Sequence, residues 1–451
     1  MVRALLGLLG GLLAWGVGCG PSWREQPQKP RDVPAGPFRY TVDFTTNQHG
    51  HPESTCTRPV CLKLLSAIAS AHRTIDFAVY GIRSQKHVID ALVDAQRRGV
   101  RLRGVVDSED AGCTAFAYPD TQALIEALGA GRVVCDTGRE FDAIMHNKFF
   151  VFDRRAVWTG STNLSDTELG GEYSTDVAVL IESPALAEIY ESELEEMFGG
   201  LFHEDKSDNS THVLDEWSFS DGTELRSYFS PTDAAIKNAV LPLIGAATQT
   251  LDVASFFFTS DEIAGALVSA QARGVALRVI LDAEGASSEY SQHARLCSAG
   301  ISLKVENWGG KSHAKWLVAD AGLPGARVVF GSMNFTRAGD SRNDENTLYV
   351  RNPGLATLFA AEFEREWEDL AGIPECRLVA AEGAESSRCT PDDDCTESCA
   401  SGACCDGLDN DYDGKIDLDE EACACSDGRD NDADGYVDSE DYDCVRRPGA
   451  R

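Results

Sequence analysis

Basic residues are scarce in this sequence. Its 451 residues include 40 lysines and arginines against 73 aspartates and glutamates, a formal net charge of −33 at pH 7. A surface with this charge repels nucleic acid and anionic membranes at long range, although calcium or a local basic patch would offset the repulsion. The composition therefore disfavours a protein that follows nucleic acid phosphates across a broad surface.

Long apolar runs are also scarce. The longest one, Ala4 to Val17, follows Arg3 and is too short for a comfortable transmembrane helix, so it indicates a signal peptide. Small residues directly before Cys19 resemble a bacterial lipoprotein cleavage site, with Cys19 as the lipidated N-terminus. The match is imperfect, because Gly16 stands where leucine is usual, and a plain secretory signal is the alternative.

This N-terminus predicts an exported protein. We expect a lipoprotein-type signal peptide at 1–19 and a flexible tether at 20–38, which is rich in Pro, Arg, Gln and Gly. The protein would then be anchored in the cell envelope, at the outer membrane or the cell surface, or otherwise be secreted. Fifteen cysteines agree with an oxidising compartment.

Few of the cysteines and histidines have a spacing that suggests chemistry. Cys56 and Cys61 are placed to close a small loop, and Cys113 and Cys135 to close a longer one. Cys297 has no obvious partner, and we expect it to be a buried free thiol. The histidines outside the motifs described next show no zinc-site spacing, and His203 is expected in a polar surface linker.

One stretch does carry a catalytic pattern. It reads H-x-K-x4-D from His146 through Lys148 to Asp153, followed six residues later by G-S-x-N with Ser161 and Asn163. The apolar middle indicates a buried strand, and alternation along a strand puts the imidazole and the ammonium on one face. A histidine can act as a nucleophile or a general acid, and Lys, Ser and Asn suit a phosphoryl oxyanion.

The pattern occurs a second time. His313, Lys315 and Asp320 repeat the spacing, and a G-S-x-N with Ser332 and Asn334 follows after ten residues. Two copies with the same continuation make coincidence very improbable, although one copy alone could be a chance histidine before a core strand. The doubled motif resembles the phospholipase D superfamily, over roughly residues 40 to 370.

The resemblance implies one active site shared by two halves. One histidine attacks phosphorus and forms a phosphohistidine, and the other protonates the leaving oxygen. By family order, His146 is expected to be the nucleophile and His313 the general acid. The family also carries an acidic residue after G-S-x-N, which we place at Glu172 and Glu345. No metal cofactor is expected for catalysis, because the two lysines supply the positive charge.

An internal duplication supports two halves. Residues 92–103 are echoed by 267–278, and both copies run on to an aspartate at the same offset of 175. Each copy predicts an amphipathic helix stopped by glycine and then an apolar strand. We expect an α/β fold of two sandwich halves with mostly parallel or mixed sheets, at 39–202 and 225–372, joined by a surface linker at 203–224. Asp153 and Asp320 would face away from the site and act as structural supports.

The C-terminal part has a different composition. Residues 389–451 contain 20 acidic and five basic residues, and nine of the fifteen cysteines lie from Cys376 onward. Two tandem units, 404–423 and 425–444, resemble the D-G-x-D-N-D repeats of bacterial secreted proteins. Carboxylates at loop positions 1, 3, 5, 9 and 12 with glycine at 6 predict calcium binding, with an acidic disordered tail as the alternative. The predicted ligands are Asp409, Asp411, Asp413, Asp417 and Glu420 in the first loop, and Asp430, Asp432, Asp434, Asp438 and Asp441 in the second.

Three functions are open at this point. The first is a phospholipase D that acts on phospholipid head groups, which the export signal and the lipid anchor to the membrane favour. The second is an exported nuclease of the same superfamily, favoured by the compact halves but opposed by the acidic surface. The third is a calcium-stabilised adhesion module with a degenerate catalytic domain, which the intact motifs oppose. The sequence does not choose between water and an alcohol as acceptor, and it indicates no oligomeric state.

Overall fold

The computed structural model describes residues 36–46, 51–110, 112–137, 143–171, 173–206 and 217–378. Several expectations lie outside the described residues. These are the signal peptide with Cys19, nearly all of the tether, Glu172, and the C-terminal repeats with their ten predicted calcium ligands. Within the described residues, no helix is both long enough and apolar enough to cross a bilayer.

Two sheets form the scaffold, one in each half. The strands of the first half are β1 (Arg39–Thr45), β2 (Thr74–Val79), β3 (Arg101–Val106), β4 (Val133–Cys135), β5 (Lys148–Phe152), β6 (Ala156–Gly160) and β7 (Asp176–Glu182). The strands of the second half are β8 (Trp217–Ser218), β9 (Glu224–Ser230), β10 (Thr250–Ser255), β11 (Ala276–Leu281), β12 (Ser302–Val305), β13 (Lys315–Ala319), β14 (Arg327–Gly331) and β15 (Glu345–Arg351). Short apolar runs rich in Val, Ile and Phe account for most of these strands.

The two sheets have the same topology, except that the second has an additional edge strand, β8. The first has the order β1-β7-β6-β5-β2-β3-β4, and the second the order β8-β9-β15-β14-β13-β10-β11-β12. Pairing is parallel among β2, β3 and β4 and antiparallel elsewhere, as it is in the equivalent strands of the second half. The expected mixed α/β duplication is therefore confirmed. In each sheet the motif lysine begins a central strand, paired with Val79 in one half and Ser255 in the other.

Helices cover the sheets. They are α1 (Pro59–Ser70), α2 (Lys86–Arg97), α3 (Thr121–Leu128) and α4 (Pro184–Phe198) in the first half, and α5 (Leu241–Ala246), α6 (Asp261–Ala272), α7 (Ala283–Ser287), α8 (His293–Ser298), α9 (Arg337–Ser341) and α10 (Pro353–Asp369) in the second. The duplicated helices α2 and α6 are followed by Gly99 and Gly274, whose φ values of 92° and 91° suit glycine and end the helix. The closing helices α4 and α10 each start with proline after a side-chain cap, from Ser183 and Asn352.

One hydrophobic core joins the halves. It contains Phe149 of the first half and Trp316, Phe330 and Phe359 of the second, all fully buried or nearly so. Phe44 of β1 packs edge to face on Phe359 of α10, with ring centroids 5.2 Å apart. Each buried aromatic stabilises the fold by roughly 1.5–3 kcal/mol. The halves therefore have a fixed mutual position, which a site built from both requires.

The two motif aspartates hold turns. Asp153 and Asp320 lie just after their strands, with φ of 53° and 56°. The Asp153 carboxylate accepts hydrogen bonds from the backbone N–H groups of residues 72–74, and Asp320 accepts those of residues 248–250. Burial alone would raise the pKa of each carboxyl, but these bonds outweigh it and lower the pKa. The geometry matches the structural role expected for both residues.

Two expectations are wrong. Cys297 is not a free thiol, because it forms a disulfide with Cys376, while the two expected disulfides, Cys56–Cys61 and Cys113–Cys135, are confirmed. The segment 203–224 is not a surface linker at its described ends. His203, Lys206, Phe219 and Thr223 are each at most 5% exposed. Their burial comes from partners far along the chain, which local composition does not reveal.

Candidate active site

The active site forms where the halves exchange backbone hydrogen bonds. The N–H of His146 donates to the carbonyl of Asp344 at 2.9 Å, and the N–H of Asp344 donates to the carbonyl of Ile144 at 3.0 Å. On the other side, the N–H of Thr175 donates to the carbonyl of Lys311 at 2.8 Å. Each motif segment is thus hydrogen-bonded to the residue just before an acid of the other half. That acid, Glu345 or Asp176, begins the last strand of its half.

This exchange places each histidine on a carboxylate from the opposite half. His146 Nδ1 lies 2.9 Å from both carboxylate oxygens of Glu345. His313 Nδ1 lies 3.0 Å from Asp176 Oδ1. A carboxylate on Nδ1 holds the ring in one orientation and leaves Nε2 for the substrate.

The serines of the G-S-x-N motifs complete these pairs. Ser332 Oγ donates to Glu345 at 2.6 Å, and Ser161 Oγ donates to Asp176 at 2.7 Å. Both serines are fully buried. They therefore orient the carboxylates that orient the histidines.

The lysines are buried beside the histidines. Lys148 Nζ donates to the backbone carbonyl of His146, and Lys315 Nζ donates to that of His313, each at 2.9 Å. An aromatic ring lies close to each ammonium, Tyr80 at 5.8 Å in the first half and Phe256 at 5.2 Å in the second. These contacts fix two cations in a water-poor pocket, where their field on a phosphoryl group is strong.

The protonation states follow from burial. Burial lowers the pKa of His146 to about 4, and the attraction of Glu345 only partly opposes it. Burial and the nearby lysines hold the pKa of His313 well below its usual value. Burial and the charge of Glu168 raise the pKa of Asp176. Before an anion binds, the site therefore contains neutral imidazole that can act as a nucleophile.

The amide of Asn163 already donates within the protein, so Asn163 departs from its expected role as a donor to phosphate. The side-chain amide of Asn163 donates to Glu168 Oε1 at 2.9 Å, and the backbone N–H of Asn163 donates to Glu168 Oε2. The Oδ1 atoms of Asn163 and Asn334 are buried and accept no hydrogen bond from the described residues. They are therefore available to accept a bond from a substrate hydroxyl or water.

The structure brings together His146, Lys148, Ser161, Asn163, His313, Lys315, Ser332 and Glu345. Asn334 follows Ser332 in the second motif. The prediction missed two acids, Asp176 and Glu168. Counting from G-S-x-N pointed to Glu172, which lies outside the described residues, whereas Asp176 takes the position equivalent to Glu345. The loop before Asp176 is longer than its counterpart by two residues. The start of the following strand would have identified the acid, because β7 and β15 both begin with it.

A buried charge cluster lies behind the site. The ring nitrogens of His203 lie 2.7 Å from Asp136 Oδ2 and 3.0 Å from Asp344 Oδ2, and Lys206 Nζ is 2.7 Å from Asp344 Oδ1. Burial opposes the charge of His203, but the two carboxylates outweigh it and raise its pKa to about 10. Asp136, His203 and Asp344 are close enough to share a metal ion, as are Glu168, Asp176 and His313. In the first group, His203 and Lys206 already form ion pairs with the acids, and Lys206 also pairs with Glu193 at 2.5 Å.

Comparisons with known proteins agree with this geometry. A family model described as "Cardiolipin synthase, PLD-like domain" matches residues 64–198 and 240–367, more than half of the chain. The mitochondrial cardiolipin hydrolase of Xenopus laevis is 33% identical over 138 residues, which cover 31% of this chain and 63% of that protein. A phospholipase D of Rickettsia bellii (strain RML369-C) is 28% identical over 137 residues, which cover 30% of this chain and 66% of that protein.

A solved structure shows the same fold over a longer span. The phosphatidylserine synthase of Haemophilus influenzae Rd KW20 superposes with a TM-score of 0.54 at 13% identity, over 76% of this chain and 89% of that one. The curated relatives named above are matched over less than two thirds of their own length. The domain match occurs once in each half, on the strands that carry the two motifs. The chain therefore belongs to the phospholipase D-like family.

Proposed function

We propose that the protein is a phosphodiesterase of the phospholipase D type, which cleaves phospholipid head groups through a phosphohistidine. One observation carries the proposal. Two His–Lys pairs, one from each half, are buried in a single site, and each histidine is oriented by a carboxylate of the opposite half. This arrangement supplies a nucleophile, a general acid and two fixed cations, the components that phosphoryl transfer needs.

The first step forms the covalent intermediate. Nε2 of His146 attacks phosphorus, and its Nδ1–H stays bonded to Glu345 and stabilises the developing positive charge. The bond from phosphorus to the head-group oxygen breaks, and that oxygen takes a proton from Nε2 of His313. Lys148 and Lys315 neutralise the oxygens of the pentavalent transition state.

The second step regenerates the enzyme. His313, now neutral, takes a proton from water, and the resulting hydroxyl bonds to phosphorus while the bond from phosphorus to His146 breaks. The products are the free head-group alcohol and a phosphatidic acid. Because the lysines supply the positive charge, we expect full activity in EDTA.

Phospholipid is the favoured substrate class. The net charge of −33 disfavours nucleic acid, whose binding requires a broad basic surface. Relatives named mitochondrial cardiolipin hydrolase and phospholipase D support a lipid phosphodiester. A signal of the lipoprotein type ending at Cys19 would place the enzyme on a membrane, where such a substrate is present.

The decisive experiment compares substrates and traps the intermediate. Wild-type enzyme should hydrolyse phosphatidylcholine vesicles, with and without EDTA, and should leave single-stranded DNA intact. His146→Asn and His313→Asn should each lose about a thousandfold or more in turnover. On a substrate with a good leaving group, His313→Asn should still accumulate a phosphohistidine at position 146. Label at position 313 would reverse the roles, and cleavage of DNA alone would replace the lipid proposal with the nuclease.

Two further proposals concern the chain ends. A lipid on Cys19 would anchor the protein in the cell envelope, and Cys19→Ser should then release it into the soluble fraction or block signal cleavage. Identical soluble behaviour of both forms would leave the ordinary secretory signal. The carboxylate spacing in 404–423 and 425–444 supports calcium binding by the two repeats.

A further inference from the structure

The two halves differ at one acidic side chain in the active site. Seven residues after the serine of each G-S-x-N motif, the first half has Glu168 and the second has Gly339. The backbone differs at the same place. Residues Asp166–Gly170 form a π-helical turn, whereas the equivalent Arg337–Ser341 forms α9. Glu168 is 5% exposed in its turn, and the equivalent Gly339 is also buried.

Glu168 is held firmly. Its two carboxylate oxygens accept the backbone N–H and the side-chain amide of Asn163, and its own N–H donates to Ser165 Oγ at 3.3 Å. An arrangement with three hydrogen bonds to one short segment leaves the carboxylate little freedom. The fold therefore fixes the position of the Glu168 carboxylate relative to the catalytic groups.

This carboxylate faces His313. Glu168 Oε2 lies 3.5 Å from His313 Nδ1, next to Asp176 Oδ1 at 3.0 Å. His146 has a single carboxylate, Glu345, at its Nδ1 within the described residues. One histidine is thus flanked by two acids and the other by one.

Several cations surround His313, and two of them, Lys148 and Lys315, also lower the pKa of His146. Lys315, Lys148, Lys311 and His146 all disfavour a positive charge on His313, in addition to its burial. Lys311 has no counterpart in the first half, where the equivalent position is Ile144. Lys311 itself pairs with Glu284 at 2.6 Å. Glu168 is the additional anion that directly faces His313, and opposite charges within about 4–6 Å stabilise the charged form.

We propose that Glu168 is a positioning residue that favours protonation of His313 once a phosphate anion is bound, and so makes His313, and not His146, the general acid. The inference rests on the proposed function. In the first step, the proton on Nε2 of His313 passes to the leaving oxygen as the bond between that oxygen and phosphorus breaks. The imidazole that remains stays bonded to Asp176, and the charge of Glu168 supports the imidazolium before the transfer.

The first test does not depend on turnover. Histidine ¹⁵N NMR of the full chain with inorganic phosphate bound gives the midpoint at which His313 loses its proton. In Glu168→Gln this midpoint should fall by at least about one pH unit, and Glu168→Asp, which keeps the charge, should recover most of the loss. Asp166→Asn is the matched control, because it removes a carboxylate of the same turn that pairs with Arg83. An unchanged midpoint in Glu168→Gln overturns the inference.

The second test uses the leaving group. A good leaving group such as p-nitrophenolate needs little protonation, whereas the alkoxide of a choline head group needs it fully. Glu168→Gln should therefore lose at least about tenfold more kcat/KM on phosphatidylcholine than on bis(p-nitrophenyl) phosphate. Equal losses on both would show a merely structural role and overturn the inference. Wild-type enzyme inactive on both would overturn the proposed function, while the NMR midpoint would still decide the role of Glu168.

Discussion

At the scale of single residues, burial gives the two active-site lysines pKa values near neutrality. Burial lowers the pKa of Lys148 to about 8 and that of Lys315 to about 7, and the surrounding carboxylates only partly oppose the effect. Below its pKa each lysine is a cation, and above it the charge is lost. The attraction of the site for a phosphate anion therefore decreases as the pH rises through this range.

The inhibition constant of dimethyl phosphate should report this titration, because its own charge is constant here. We expect the constant to rise with pH above about 7, by up to about tenfold per unit for each lysine that titrates. Lys315→Arg should flatten the rise, because arginine stays charged. Lys63→Arg, at a lysine paired with Asp43 away from the site, is the control. A flat wild-type profile between pH 6 and about 9 would contradict the prediction.

At the scale of elements, the short turn His203–Asp205 connects the two halves through ion pairs. His203 bridges Asp136 of the first half and Asp344 of the second, directly before the Glu345 that orients His146. Its pKa in the fold, about 10, is above the ordinary value of 6.5. The stabilisation from its charge is therefore complete below about pH 6.5 and is lost as the pH rises through about 10.

Replacing His203 should expose this dependence. His203→Gln should lower the free energy of unfolding by about 3 kcal/mol at pH 6, because it leaves two buried carboxylates without their shared cation. The difference from wild type should shrink steadily toward pH 10. His72→Gln, at an exposed histidine, should change little at any pH. Urea denaturation at several pH values measures both, and a difference that grows with pH would contradict the assignment.

Local pattern predicted these elements well and their long-range partners poorly. The paired helices, the mixed sheets and both motif strands follow from periodicity and from the repeat at an offset of 175. The partners of His203 and Cys297 do not, because Asp344 and Cys376 lie 141 and 79 residues away. Asp176 was missed for a related reason. The loop between G-S-x-N and the acid is two residues longer in the first half than in the second, so counting from the motif gave the wrong residue, although the acid is the first residue of the strand in both halves.

At the scale of the whole molecule, the catalytic motifs and the predicted calcium ligands lie in separate parts of the chain. The site draws on residues 146–345, and both halves share the core that positions them. The disulfide between Cys297 and Cys376 fastens the end of the second half to α8, just before the acidic C-terminal region. Removing residues 379–451 should therefore leave the phosphodiesterase rate within about twofold of the full chain, since all the site residues that the structure describes precede residue 379.

The C-terminal repeats, and not the catalytic halves, should bind calcium. Five carboxylates in each loop repel one another without a cation, and a stretch so poor in apolar residues is not expected to form a core. We therefore expect calcium and disulfides to supply the stability. We expect calorimetry to show two calcium ions bound by the oxidised full chain and none by the chain without 379–451. Saturating calcium, at about a hundred times the dissociation constant, should stabilise the loops by about 2.7 kcal/mol and slow their proteolysis.

Single substitutions in the first loop separate a calcium site from a merely acidic tail. Asp413→Asn removes the predicted ligand at loop position 5 and should abolish binding of one ion, because a neutral amide replaces a carboxylate. Asp419→Asn removes an equal charge at position 11, which holds no predicted ligand, and should bind both ions as wild type does. If the two substitutions weaken calcium binding equally, the binding depends only on the total charge of the tail. Since the catalytic lysines lie in the other part of the chain, neither substitution should change the rate on phosphatidylcholine.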